Sequence, residues 1–142
     1  MASGVRSGPI RRSGRGPTSF MTPTKTHDLR VVTVVWALAL IASGISPYDR
    51  LTWFMEVLPV LIAWPLMYAT RASFPLTRLL IVLICVHGLI LILGGAYTYA
   101  RVPAGLWVQE WLGLARNPYD RLGHLAQGFI PAIVAREVLI RV

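Results

Sequence analysis

The sequence is poor in charge, in acids and in cysteine: of 142 residues 14% are charged, six are Asp or Glu, and one is Cys. A soluble domain carries about a quarter of its residues as Asp, Glu, Lys and Arg. The deficit, set beside 55% hydrophobic residues, excludes a surface built for water and leaves burial in a bilayer. With one cysteine no intrachain disulfide can form, and a metal site of the multi-cysteine kind is excluded. Cys85, flanked by Ile84 and Val86, reads as a small buried hydrophobe. The shortage of acids gives a formal net charge of +8, which would suit a nucleic-acid binder. Six of the fourteen basic residues, however (Arg6, Arg11, Arg12, Arg15, Lys25 and Arg30), precede the first apolar run. The charge is a property of a tail and not of a groove, so no nucleic-acid partner is expected.

What is present is apolar and helical in pattern. Residues 1–28 hold Gly, Ser, Pro, Thr and Arg without an apolar period, which predicts a disordered basic cytoplasmic tail able to touch anionic headgroups. The apolar run begins too late for an ordinary cleaved signal peptide. Residues 29–142 are the membrane domain, with spans expected at about 31–46, 47–69, 75–96 and 118–140 and an interfacial helix at about 104–115. In that short helix Leu106, Trp107, Trp111 and Leu114 fall opposite Gln109 and Glu110. The predicted fold class is all-α, a polytopic integral membrane bundle of about four transmembrane helices. Basic residues in the tail, at Arg71 and Arg78, and at Arg136 and Arg141 put both termini in the cytoplasm of a bacterial inner membrane. Gly94-Gly95 reads as a weak point near the end of the third span.

Pro47-Tyr48-Asp49-Arg50-Leu51 recurs as Pro118-Tyr119-Asp120-Arg121-Leu122. Preceded by Ser46 and Asn117, each copy reads as a helix start: a capping residue, proline at the first helical position, and a carboxylate at the third. The repeat predicts two parallel helical hairpins, against the plainer reading that two helices share one capping solution. At helical spacing Asp49, Trp53 and Glu56 align on the second span, and Asp120, His124 and Gln127 on the fourth. Glu56, Gln127 and His87 all approach the expected midplane, where polar side chains are costly unless they find partners. Asp49, Glu56, His87, Asp120, His124 and Gln127 are therefore the candidate binding residues. The plainer reading makes Glu56–His87 or His87–Gln127 an interhelical hydrogen bond, and Asp49 and Asp120 simple helix caps. Two ligands, His124 and Asp120, fall short of a closed metal site, so no metal or cofactor is expected.

Several segments resemble a known family. Ser46-Pro47-Tyr48-Asp49-Arg50-Leu51-Thr52-Trp53, Phe74-Pro75-Leu76-Thr77-Arg78-Leu79, Gly94-Gly95-Ala96-Tyr97-Thr98-Tyr99-Ala100 and Tyr119-Asp120-Arg121-Leu122-Gly123-His124 through Gln127-Gly128-Phe129 to Ala135-Arg136-Glu137 are similar to the YjdF family of uncharacterised bacterial inner-membrane proteins. The match in order and spacing runs over residues 29–142. The resemblance implies a membrane topology and no assigned activity. Ala96 stands where such proteins often have histidine, and members usually continue through two further helices and an acid-rich Gly-Thr-Gln-Gly-Asp type segment, which implies a truncated member. Asp120-Arg121-Leu122-Gly123-His124 also resembles the Asp-Lys-x-x-His pattern of VanZ-like membrane proteins, which implies an envelope or lipid-linked substrate.

Two functions stay open on this reading. One is a non-enzymatic membrane component that binds a lipid or small solute between helices. The other is part of an outer-face enzyme acting on a lipid-linked phosphate, with His124 as acid or base oriented by Asp120. Beyond the lipid bilayer, the partners left open are a second copy of the chain and a polypeptide that supplies the missing C-terminal helices.

Overall fold

The structure is a computed structural model that describes residues 26–141. The expected disorder of the tail falls on residues outside that range, except that Thr26, His27 and Asp28 already belong to the first helix. Five helices follow: α1 (Thr26–Ile45), α2 (Arg50–Thr70), α3 (Arg78–Tyr97), α4 (Pro103–Leu112) and α5 (Tyr119–Arg141). Three of them, α1, α2 and α3, are long and apolar enough to cross a bilayer. The fourth expected span, α5, has 23 residues, about 34 Å at the helical rise. Asp120, Arg121, His124, Gln127, Arg136 and Glu137 keep it less apolar than the other three.

Helix α3 is the centre of the bundle and packs against α1, α2 and α5, whereas α5 makes no comparable contact with α1 or α2. Close approach of α1 to α3 is set at Gly88, where a Cβ would overlap the Trp36 ring. The Trp36 indole is buried and donates to the Cys85 carbonyl at 3.1 Å. Cys85 itself is free and half-buried. Between α1 and α2 the indoles of Trp53 and Trp64 donate to the hydroxyls of Ser43 and Thr33 at 2.9 and 3.1 Å. Such side-chain bonds between helices hold where apolar contact alone does not discriminate protein from lipid.

α5 runs antiparallel to α3 and is fastened at both ends. At one end the Tyr119 hydroxyl donates to the Ile90 carbonyl at 3.1 Å. At the other, the Glu137 carboxylate accepts from the backbone N–H and the hydroxyl of Thr77 at 3.1 and 2.8 Å, satisfying donors at the start of α3. Only one seam of α5 is buried, Tyr119, Gly123, Ala126 and Ile130. Their spacing is that of a single helical stripe, and most of the rest of the helix is exposed.

The two repeated segments start their helices differently. α5 begins as the sequence predicts, with the Asn117 side-chain oxygen accepting the Tyr119 N–H at 2.9 Å. α2 does not begin at Pro47. Its cap is Asp49, in an extended conformation, whose carboxylate accepts the Thr52 N–H at 2.7 Å. The Tyr48 N–H is bonded instead to the Ala96 carbonyl at 2.9 Å, which holds Pro47-Tyr48 out of the helix. Ser46 is not the cap.

Candidate functional site

The polar residues collect at the end of the bundle where α3 ends and α2 and α5 begin. Glu56 lies six residues after the first residue of α2, about 9 Å down the helix and nearer that end than a start at Pro47 implies. Its carboxylate accepts the Tyr99 hydroxyl at 2.9 Å. Tyr99 follows α3, and it and Thr98 both have left-handed backbone, φ 53° and 54°. Two consecutive non-glycine residues in that region are strained, and packing over-determines them. The Tyr99 ring fills the space that a Cβ at Gly94 or at Gly123 would need, and its centroid lies 6.0 Å from that of Tyr119. Gly94-Gly95 is accordingly a packing notch and not a weak point: a Cβ at Gly95 would meet Glu56 Cβ at 3.0 Å.

Burial, in the first place, raises the ionisation of Tyr99 above the ordinary tyrosine range. The hydrogen bond that Tyr99 donates to Glu56 and the Glu56 charge act in the same direction, followed by Tyr119 and Asp120. Tyr99 thus stays a neutral donor and ties the Glu56 carboxylate to the α5 side of the bundle. At the mouth, Asp120 and His124 form an exposed pair one helical turn apart, Oδ1 to Nε2 3.5 Å.

The six predicted binding residues divide. Asp49 only caps α2, and its carboxyl is held below the usual aspartate range by the Thr52 N–H. Glu56 meets α5 through Tyr99, whose ring packs at Gly123 and near Tyr119, while Asp120 and His124 pair with each other at the surface. Gln127 is exposed and makes no side-chain hydrogen bond among the described residues. His87 bonds neither Glu56 nor Gln127: its Nδ1 is buried without a hydrogen-bond partner. The interhelical bonds expected through His87 are therefore replaced by Glu56–Tyr99, whose tyrosine lies beyond the helix and so outside the helical spacing that marks the polar stripes. The glycines at 94 and 123 were the available signal for a bulky side chain reaching across.

Below this node α2 and α5 part, and a cleft of about 590 Å³ opens between α2, α3 and α5. Its walls include Pro59, Val60, Ala63 and Met67 from α2 and Ile130, Pro131, Val134 and Val138 from α5, with His87, Gly88 and Leu91 of α3 at its back. This volume is that of a site for a small ligand. Its lining is apolar apart from His87 and Thr70, and the Thr70 hydroxyl is already bonded to the Leu66 carbonyl at 2.8 Å. Among the described residues no group of three or more His, Cys, Asp or Glu is placed to hold a metal ion.

α4 stands apart from the cleft. It is held by the Asn117 amide, which donates to the Ala100 and Val102 carbonyls at 3.1 Å each, and by Gly105, where a Cβ would overlap that amide. Trp107 and Trp111, one turn apart, are 79% and 85% exposed.

A model of the family described as "Predicted membrane protein (DUF2238)" matches residues 29–142. The inner membrane protein YjdF of Escherichia coli (strain K12) is 57% identical over 122 residues, which cover 85% of this chain and 58% of that protein. The chain thus spans 58% of the length of the curated relative it matches. No solved structure matches. With apolar helices long enough to cross a bilayer and a match over residues 29–142, the chain belongs to the DUF2238 membrane-protein family, to which the YjdF resemblance pointed.

Proposed function

We propose that the chain is a non-enzymatic membrane component that holds a lipid in the cleft between α2, α3 and α5. The observation that carries the reading is the separation of α2 from α5 over an apolar volume of about 590 Å³. Such a gap between packed helices in a bilayer fills with hydrocarbon, because an empty one forfeits its contacts. His87, at the back of the cleft, supplies one unpaired polar atom for a ligand that carries a hydrogen-bonding group. Purification in mild detergent followed by extraction and mass spectrometry tests this. The native chain retains lipid in stoichiometric amount, and Ala63→Trp, which fills the cleft, loses it. Equal lipid in both would overturn the reading.

The same reading makes α5 a fourth crossing and places the N-terminus in the cytoplasm. Support comes from the fastening of α5 to both ends of α3. Arg30, Arg71, Arg78, Arg136 and Arg141 lie toward one end of the bundle, and Arg50, Arg101, Arg116 and Arg121 toward the other. That near balance is broken by Arg6, Arg11, Arg12, Arg15 and Lys25, which precede α1 and set the orientation. Reporter fusions after Thr70 and Arg141 should behave as cytoplasmic, and one at Pro103 as external. An external C-terminus overturns the crossing of α5.

A second reading, part of an outer-face enzyme acting on a lipid-linked phosphate, is favoured by the exposed Asp120–His124 pair. It requires that His124→Gln abolish phosphate release from a long-chain lipid pyrophosphate while leaving lipid retention unchanged. Absence of release by the native chain removes it.

A further inference from the structure

We infer that the occupant of the cleft is an anionic phospholipid of the bilayer, its phosphate against Arg71 and one acyl chain laid between α2 and α5 toward His87. The inference rests on the lipid reading above and adds the charge of the head and the direction in which the lipid lies. A second cavity, of about 220 Å³, lies at the end of the bundle where α1 and α3 begin, with Arg71 in its wall. Met67, Phe74 and Leu76 line both cavities. A small chamber bearing a cation therefore shares a wall with a larger apolar one, which is the outline of an amphiphile with its head at the membrane surface.

Charge selects the head. Arg71 is the arginine in the chamber wall, and two others at this end of the bundle have carboxylates: Arg78 lies 4.0 Å from Asp28, and Arg141 lies 2.6 Å from Glu137. Arg71 has no carboxylate partner among the described residues. One guanidinium nitrogen donates to the Tyr68 carbonyl at 2.6 Å, and the group lies 5.8 Å from the centroid of the Tyr68 ring. That contact fixes the guanidinium beside the chamber and uses one of its five N–H donors. The rest suit phosphate oxygens, which arginine engages two at a time. A zwitterionic lipid offers the same phosphate together with a competing cation, so the expected preference is for a net negative head.

Native mass spectrometry of the full chain with phosphatidylglycerol and phosphatidylcholine of identical acyl chains is the test. The wild type should bind phosphatidylglycerol about fivefold more tightly, the effect of one arginine at a membrane surface. Arg71→Gln should bind the two lipids equally. Arg136→Gln, an exposed site on α5, should keep the preference. Ala63→Trp and Val134→Trp, from opposite walls, should lose both lipids, and thermal unfolding of each variant checks that it is folded. If Arg71→Gln keeps the preference, or if the wild type has none, the head-group assignment fails and the cleft stands. If both tryptophan variants fold and retain lipid, the cleft reading itself fails. Displacement of phosphatidylglycerol by millimolar inorganic phosphate would show that the chamber takes free phosphate, and would overturn the lipid as its occupant.

Discussion

Tyr48 and Tyr119 hold the same place in two copies of Pro-Tyr-Asp-Arg-Leu, yet their surroundings have little in common. Tyr48 is 60% exposed beneath the Arg101 guanidinium, 3.9 Å from its ring centroid. Tyr119 is 8% exposed, packs near Tyr99 and donates to a carbonyl of α3. The neighbouring aspartates differ as well: Asp49 stands outside its helix as a cap, while Asp120 is in the first turn of α5 and pairs with His124. The cause lies one residue upstream of the repeat. Asn117 can cap a helix and clamp a loop at the same time, whereas Ser46 does neither, and the Ala96 carbonyl draws the Tyr48 N–H away. Identical pentapeptides thus give one exposed turn and one buried anchor, because helix registration is decided by which donor the neighbours claim.

The comparison can be broken most sharply at the tyrosines. Tyr119→Ala should cost about 3 kcal/mol, as for other buried aromatics, and Tyr48→Ala less than about 1 kcal/mol, the scale of an exposed cation–π contact. Thermal unfolding in detergent measures both, and equal losses would mean that the copies are equivalent after all. Next come the residues before the repeat. Asn117→Ala removes three hydrogen bonds and should cost about 2 kcal/mol, while Ser46→Ala should stay within about 0.5 kcal/mol.

Tyr99 joins the two copies, touching Glu56 on one helix and Gly123 on the other. Tyr99→Phe should cost about 1.5 kcal/mol, the value of a hydrogen bond to a charged acceptor. Because folding raises the ionisation of this tyrosine, burial first, its contribution is complete below about pH 10. It declines as pH rises through the ordinary tyrosine range toward the raised value. Melting curves of wild type and Tyr99→Phe should therefore converge as the pH climbs beyond that point, and a constant gap would place the hydroxyl elsewhere. The smallest contrast is at the equivalent positions Glu56 and Gln127. Glu56→Ala leaves the Tyr99 donor unpaired and should cost about 1 kcal/mol, Glu56→Gln less since an acceptor remains, and Gln127→Ala nothing measurable. A loss at Gln127 would reveal a partner for the exposed stripe of α5.

The amphipathic logic of the chain was legible in the residues. Apolar runs located α1, α2, α3 and α5, and the Trp107–Trp111 spacing located α4, because helical period and bilayer thickness are local properties of a segment. The start of α2 was not legible. Capping preference admits both Ser46 and Asp49, and the choice depends on Ala96, which is distant in sequence and adjacent in space.

Candidate residues followed the same division. Depth and spacing marked Glu56, His87 and Gln127 as polar groups near the midplane, with Asp120 and His124 on the same stripe as Gln127, and each does lie on a helix. Which of them meet is a matter of helix packing. The left-handed turn at Thr98-Tyr99 swings a tyrosine into the notch between Gly94 and Gly123, so Glu56 pairs with it and His87 is left facing the cleft. The sequence by itself determined the basic residues before α1, apolar helices of spanning length and a set of polar side chains, since these depend on neighbours a few residues away. Only the tertiary structure decided that α5 leans on α3 alone and parts from α2, because a single buried stripe on a helix fixes one contact and leaves its other faces to whatever fills the gap.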